Sequence, residues 1–285
     1  MLKICAVQFP KTVLQENIST LCADLSHMAC GQGARLIVFP ELCLAGSFTQ
    51  EDLLAESTLD TITDTLKDLI AQTATLPCVL VAGLPVCHAG KLYNCAAVIQ
   101  GGMLLGLVPK TYIPRNNQNT YFTPPPSANL TYEFMGSYLQ LGTKQIFVDT
   151  SNPTFTFCVE VGEDALAMIP PSTYATMAGA TVVCHMTDTP IDDMAYPMMA
   201  AHSRRTVSAC VSVPTTGDVW IGQNGERLDP ITGEVDLAML ARCRRGRWTF
   251  ENHTAGEYTE VYFSLDSIED TDNNEEFTFT EDELI

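Results

Sequence analysis

Three positions hold most of the chemistry this sequence offers, and one of them has no side chain. Glu41 closes the run Leu36-Ile-Val-Phe-Pro-Glu, Lys110 lies two residues past the run Met103 to Val108, and Gly162 opens the turn Gly162-Glu163-Asp164 behind Phe157, Val159 and Val161. Each lies at the end of an apolar, strand-like run, where open α/β sheets gather their sites. A buried carboxylate beside a buried ammonium suits acid-base work, because each perturbs the other's proton affinity once water is excluded. The third position is the sharp strand-to-helix turn on which α/β enzymes mount a nucleophile, and glycine supplies none. An elbow of that kind stores ~1–3 kcal/mol of backbone strain, which glycine relieves because it lacks Cβ.

The remaining reactive side chains offer less. No CxxC or HxxxH spacing occurs, and the pairs Cys87-His88 and Cys184-His185 cannot close a metal site alone, so they read as buried thiols and strand histidines. No metal or cofactor is expected. Among the thiols, alternation puts Cys158 on the strand face of residue 162, yet four residues at ~3.3 Å each separate them by about 13 Å, far beyond attack distance. Cys43, two residues after Glu41, reads as structural, and Cys184 at the end of the following strand is the remaining thiol candidate.

The elements that must hold these residues follow a strand-helix rhythm. Leu2 to Gln8 reads as a strand, and Glu16 to Cys30 as a helix with Ile18, Leu21, Cys22, Leu25, Met28 and Ala29 on one face. The strand Leu36–Phe39, a helix over Leu59 to Thr73 and the strand Val79 to Ala82 continue it. Leu92 to Gln100 and Met103 to Val108 then flank Gly101-Gly102, a two-residue hairpin signal that makes the sheet mixed. Pro114 to Thr131 reads as a polar loop over one edge of a pocket. After the elbow come a helix-like run Tyr174 to Ala180, a strand from Thr181, a helix near Asp192 to Ser208, the strand Ala209 to Val213, Gly-rich turns and a closing strand Tyr258 to Leu265.

Composition narrows the function classes. The 285 residues carry 15 Lys+Arg against 34 Asp+Glu, a net charge of -19 that repels nucleic-acid backbones and anionic membranes. No apolar run approaches the ~18 residues of a membrane span. Met1 leads straight into a strand without a charged and then apolar leader, so the eleven cysteines are expected to be reduced and the chain cytoplasmic. One large domain over 1–265 is expected, followed by an acidic tail over 266–285 whose composition favours disorder.

Three stretches carry a family resemblance: LIVFPELCLAG (36–46), GLPVCHAGKLYNCAAVIQGGMLLGLVPKTYIPRNN (83–117) and VEVGEDALAMIPPSTYATMAGAT (159–181). They resemble the nitrilase, or carbon-nitrogen hydrolase, superfamily, and within it the glutaminase domain of glutamine-dependent NAD synthetases. Weaker similarity continues through HSRRTVSACVSVP, NGERLDP and TEVYFSLD, about 265 residues in order. The resemblance implies a four-layer α-β-β-α sandwich and oligomers that pair helical layers, with rings or filaments as further forms. It also implies a Glu-Lys-Cys triad: a carboxylate base, an ammonium that stabilises the oxyanion, and a cysteine that forms an acyl-enzyme. Glu41 matches the base, Lys110 the lysine, and the cysteine position falls on Gly162.

Other departures from the family pattern accompany the missing thiol. Gln118-Asn119 stand where the family supplies further glutamates, Ser47-Phe48 replace a tyrosine, and the stretch from Val213 to Trp220 is short. No Gly-rich phosphate loop occurs, so ammonia released here is expected to lack an acceptor on these residues. The leading expectation is a catalytically degenerate relative, a pseudoenzyme serving assembly, scaffold or filament formation. Two alternatives remain open: an amidase or glutaminase with an unrecognised nucleophile, and a non-catalytic sensor of a small amide or carboxylate at Glu41 and Lys110. Arg242-Cys-Arg-Arg-Gly-Arg247 concentrates four arginines, while 266–285 gathers nine carboxylates around Phe277 and Phe279. These two segments are expected either to remain solvated or to meet, with a neighbouring subunit as one partner.

Overall fold

The computed structural model describes residues 1–9, 13–114, 121–231, 233–247, 250 and 257–266. The first sheet begins with β1 (Leu2–Ala6), β2 (Leu36–Val38), β3 (Val79–His88), β4 (Lys91–Gln100), β5 (Met103–Pro109), β6 (Leu130–Phe134) and β7 (Ser137–Leu141). The second holds β8 (Gln145–Asp149), β9 (Thr156–Val161), β10 (Val182–Thr187), β11 (Ala209–Pro214), β12 (Trp220–Gln223) and β13 (Glu226–Arg227). The short β14 (Glu234–Val235) returns to the first sheet and β15 (Thr259–Phe263) to the second. The orders are β14-β1-β2-β3-β4-β5-β7-β6 and β13-β12-β11-β10-β9-β8-β15.

Alternation along the strands sorts three apolar layers. Leu36, Val38, Val79 and Val81 meet Phe157, Val159, Val161 and Val182 between the sheets. Ile37, Phe39, Leu80 and Ala82 face outward, where Ile18 and Cys22 of α1 (Ile18–Gly31) and Ile62, Leu66 and Leu69 of α2 (Glu56–Gln72) cover them. Cys158, Val183 and Cys210 face the opposite way, under Ala175 of α3 (Pro171–Met177) and Ala195 and Met199 of α4 (Ala195–Thr206). The result is the four-layer α-β-β-α sandwich of the nitrilase type.

Parallel registers put the site-bearing loops at one rim. β1, β2 and β3 run parallel through Ile4↔Leu36 and Leu36↔Val79, as do β9, β10 and β11 through Val182↔Phe157 and Val182↔Ala209. β3, β4 and β5 are antiparallel neighbours, so Pro109 pairs with Cys95 and brings Lys110 beside Asn94.

Several elements depart from the sequence reading. β3 runs to His88 rather than stopping at Ala82, because the hairpin with β4 pairs its whole length, His88 with Lys91. The polar stretch from Pro114 yields strand from Leu130, and β6 and β7 form a further hairpin that weak local patterning hides. α5 (Leu237–Arg245) replaces part of the expected Gly-rich turns: Asp236 caps it, accepting from Met239 N at 2.8 Å, and Leu237 and Leu240 enter the core between the sheets. Gln118-Asn119 and the tail from 267 lie outside the described residues.

Candidate active site

Glu41 and Lys110 come from loops after β2 and β5, and Gly162 from the 3-10 turn Gly162–Leu166 after β9. The three meet between the sheets at the rim. Lys110 Nζ donates to Glu41 Oε1 at 2.9 Å and pairs with Glu163 at 2.5 Å. Glu41 Oε1 also accepts from Asn94 Nδ2 at 2.6 Å, and Glu41 Oε2 from the Asp188 amide at 3.0 Å. Glu41 is thereby fixed by donors from β4 and from the loops after β5 and β10.

Local sequence explains why Glu41 can come so close to β3. Gly83 lies under the loop, and a Cβ there would overlap Leu42 N and come within 2.7 Å of Pro40 O and 2.9 Å of Glu41 C. Leu42 itself adopts φ +54, a left-handed conformation held against a non-glycine preference. The Cys43 thiol donates to Gly83 O at 3.7 Å and accepts from Gly83 N at 3.3 Å, and burial pushes its pKa up to about 12. Cys43 is thus a packed thiol with little thiolate character.

Gly162 breaks the strand alternation. Counting along β9 puts residue 162 with Cys158 on the outer face, and Cys158 does sit in the outer layer beneath α3 and α4. The turn, with Gly162 at φ +59, instead aims that position inward: an added Cβ would overlap Lys110 Nζ, lie 2.6 Å from Lys110 Cε and stand 3.0 Å from Glu41 Oε2. Cys158 and residue 162 therefore do not share a face. The ammonium of Lys110 occupies the space that the first atoms of a side chain at 162 would need.

Two further residues hold the elbow. Gly162 O lies 2.7 Å from His185 Nε2, and His185 Nδ1 lies 2.6 Å from Ser212 Oγ. Burial, joined by the nearby Lys110 charge, lowers the His185 pKa to about 4, so the ring is neutral; a carbonyl can only accept, which places the proton on Nε2 and leaves Nδ1 to accept from Ser212. Asp164 accepts from the amides of Thr111 at 2.8 Å and Tyr112 at 2.8 Å, tying the turn to the segment after Lys110.

The charges are strongly perturbed. Burial raises Glu41 to about 7, against the pull of Lys110 and with added repulsion from Asp188 and Glu163. Burial alone would lower Lys110, but Glu41 and Glu163 outweigh it and leave the ammonium's pKa raised. The result is a protonated lysine held between the carboxyl groups of Glu41 and Glu163. Cys184 is buried in the inter-sheet core and burial raises its thiol well above the ordinary range. Among the described residues, the cavity that Glu41 lines with Phe9 and Thr215 measures about 10 Å³.

Sequence reasoning located Glu41, Lys110 and Gly162 but passed over Asn94, Asp188 and His185. Asp188 lies just past the end of β10, the neighbour of β9, where the strand-end rule pointed, whereas His185 lies inside β10. Asn94 lies inside β4, where only the pairing of its neighbour Cys95 with Pro109 reveals it.

Residues 3–188 match the carbon-nitrogen hydrolase family model. The chain belongs to the carbon-nitrogen hydrolase family. Within it, the chain is 37% identical over 171 residues to the glutamine-dependent NAD(+) synthetase of Mycobacterium tuberculosis (strain ATCC 25618 / H37Rv), a match covering 59% of this chain and 25% of that protein. It thus spans about a quarter of the length of the curated relatives it matches. Among solved structures, it is similar to a glutamine-dependent NAD(+) synthetase from Cytophaga hutchinsonii, with TM-score 0.65 and 20% identity over 80% of this chain and 40% of that one. It also resembles the E41Q mutant of the amidase from Nesterenkonia sp. AN1, whose active-site cysteine has added acrylamide, with TM-score 0.60 and 16% identity over 80% of this chain and 88% of that one. These structures share the carbon-nitrogen hydrolase fold. Among the described residues no helix is long and apolar enough to cross a membrane.

Proposed function

We propose that this chain is a catalytically degenerate carbon-nitrogen hydrolase that forms no acyl-enzyme and serves as an assembly subunit. The observation that carries the reading is the elbow itself, where Gly162 brings no nucleophile and Lys110 Nζ fills the space a Cβ would take. Glu41, raised to about 7, has no thiol to deprotonate, and its oxygens already accept from Asn94, Lys110 and the Asp188 amide. Its remaining work is to neutralise a buried ammonium, a pairing that keeps the rim closed.

Support for assembly comes from the outer helical layer. Leu166 at the end of the 3-10 turn, Met168 and Ile169 just after it, Tyr174 on α3, and Met194 and Met198 at the start of α4 are exposed, and the turn, α3 and α4 pack against each other. Met168 is 97% exposed and Met194 75%, large apolar side chains left to solvent. The family resemblance names this kind of helical layer as the surface that a second copy covers.

The similarity to glutamine-dependent NAD(+) synthetases favours a second reading, a glutaminase or amidase acting through water activated at Glu41. One experiment separates them. Intact-mass spectrometry after exposure to a glutamine chloroketone should show no adduct at the elbow, and incubation with glutamine should release no ammonia above buffer. Ammonia release that disappears in Glu41→Gln would overturn the degenerate reading in favour of the hydrolase.

A further inference from the structure

A cleft of about 450 Å³ opens between the end of α3 and α5, lined by Met177, Gly179, Arg244, Arg245 and Phe250. It is a basic, aromatic site on a chain of net charge -19. Arg244 donates to the carbonyls of Val207 at 2.9 Å, Ala180 at 2.6 Å and Gly179 at 3.3 Å, and its guanidinium lies 4.9 Å from the Phe250 ring centroid. Among the described residues no arginine forms an ion pair with a carboxylate. Arg242, Arg245 and Arg247 are exposed on and just beyond the same helix. Backbone oxygens therefore orient the Arg244 guanidinium, and beside it Arg242, Arg245 and Arg247 present charge that no carboxylate among the described residues pairs, an arrangement suited to carboxylates.

The chain holds a complementary segment that starts at the same end of the second sheet. Phe263 of β15 pairs with Asp149 of β8, β8 runs antiparallel to β9, and Thr156 at the start of β9 donates to Gly179 O at 2.7 Å. The exit of β15 thus lies three strand spacings from β10, ~14 Å across the rim at ~4.8 Å each. Ten residues lie between Asp266 and Phe277, and a random coil of that length has a root-mean-square span of ~17 Å, lengthened where like charges repel. Span and linker match, the condition under which effective concentration is highest.

We propose that the acidic segment 266–285 docks in cis on the cleft between α3 and α5, with its carboxylates on Arg242, Arg245 and Arg247 and Phe277 and Phe279 against Met177 and Phe250. Exposed ion pairs are worth only ~0–1 kcal/mol each and are screened by salt, so the two phenylalanines supply most of the affinity and the arginines its direction.

The test uses the full chain with Arg245→Lys, an exposed position where the amine becomes a coupling handle. Carbodiimide joins an ammonium to a carboxylate with loss of water, and tryptic mass spectrometry of a mixture of light and isotopically heavy chains reads both partner and chain of origin. The expected product links position 245 to a carboxylate in 266–285 within one isotopic chain. Its yield should be at least tenfold higher than when Phe277→Ser and Phe279→Ser are added. No linkage at 245, or equal yields with and without the phenylalanines, would overturn the docking. Mixed-isotope linkages as the main product would overturn the assignment in cis and place the segment on a neighbouring copy.

Discussion

At the scale of single residues, the elbow is an argument about one carbon atom. Gly162 is left-handed, and its missing Cβ is where Lys110 Nζ lies. Gly162→Ala adds that atom and nothing else, so it should both strain the backbone and push the ammonium off Glu41. Left-handed strain alone costs ~1–3 kcal/mol, and disturbing a buried pair adds to it. The expected loss in urea unfolding is at least ~2 kcal/mol with an unchanged m-value. An alanine variant as stable as the parent would show that Lys110 does not hold this space in solution. The same geometry bears on Gly162→Cys: the tip of the Lys110 side chain must swing aside before a thiol can occupy that space.

At the scale of elements, legibility followed the length of local pattern. Glu41, Lys110 and the elbow were readable because each follows a strand-like run and falls within a stretch that resembles the family, and α1 and α2 because their apolar faces repeat over three or more turns. α5 was missed because Arg242, Arg244 and Arg245 interrupt its apolar face, leaving Leu237 and Leu240 as buried anchors. The inward turn of residue 162 was invisible to strand alternation, which ends where the 3-10 turn begins. A contact between elements that no pattern shows is the link of β9, α3 and α4: Glu160 accepts from Ser172 N at 3.3 Å, and Ser172 Oγ lies 2.9 Å from His202 Nε2. Burial raises Glu160 from 4.5 to about 7, so the folded chain holds this proton more tightly than the unfolded one. Its contribution to stability is full below about 4.5 and is lost as pH rises through about 7. Burial, reinforced by Arg205, lowers His202 to about 4, giving the opposite sign, a contribution lost as pH falls toward that value. Glu160→Gln removes only the first effect. The stability of the parent minus that of the variant should therefore fall between pH 5 and pH 7.5, by up to ~3 kcal/mol. An offset that is the same at both pH values would show that Glu160 stays ionised in the fold.

At the scale of the whole molecule, charge and apolar surface pull against each other. A net charge of -19 disfavours contact between copies at long range, while salt screens it beyond ~8 Å. Short-range burial must then supply the association, and the face of Leu166, Met168, Ile169, Tyr174, Met194 and Met198 is the apolar surface that offers it. A two-fold contact uses the same patch twice, so each substitution enters twice. Met168→Asp with Met198→Asp removes two apolar side chains from each partner and sets like charges against one another, without touching the core, since Met168 is 97% exposed and Met198 47%. Losing ~1.5–3 kcal/mol for each buried methionine weakens the association by well over a hundredfold. Light scattering across a dilution series should then give a multiple of 31.1 kDa for the parent and a single copy for the variant, with the same thermal midpoint at concentrations where both are monomeric. A parent that stays at one copy throughout, or a variant with the parent's mass, would remove this face, and with it the main structural support for an assembly role.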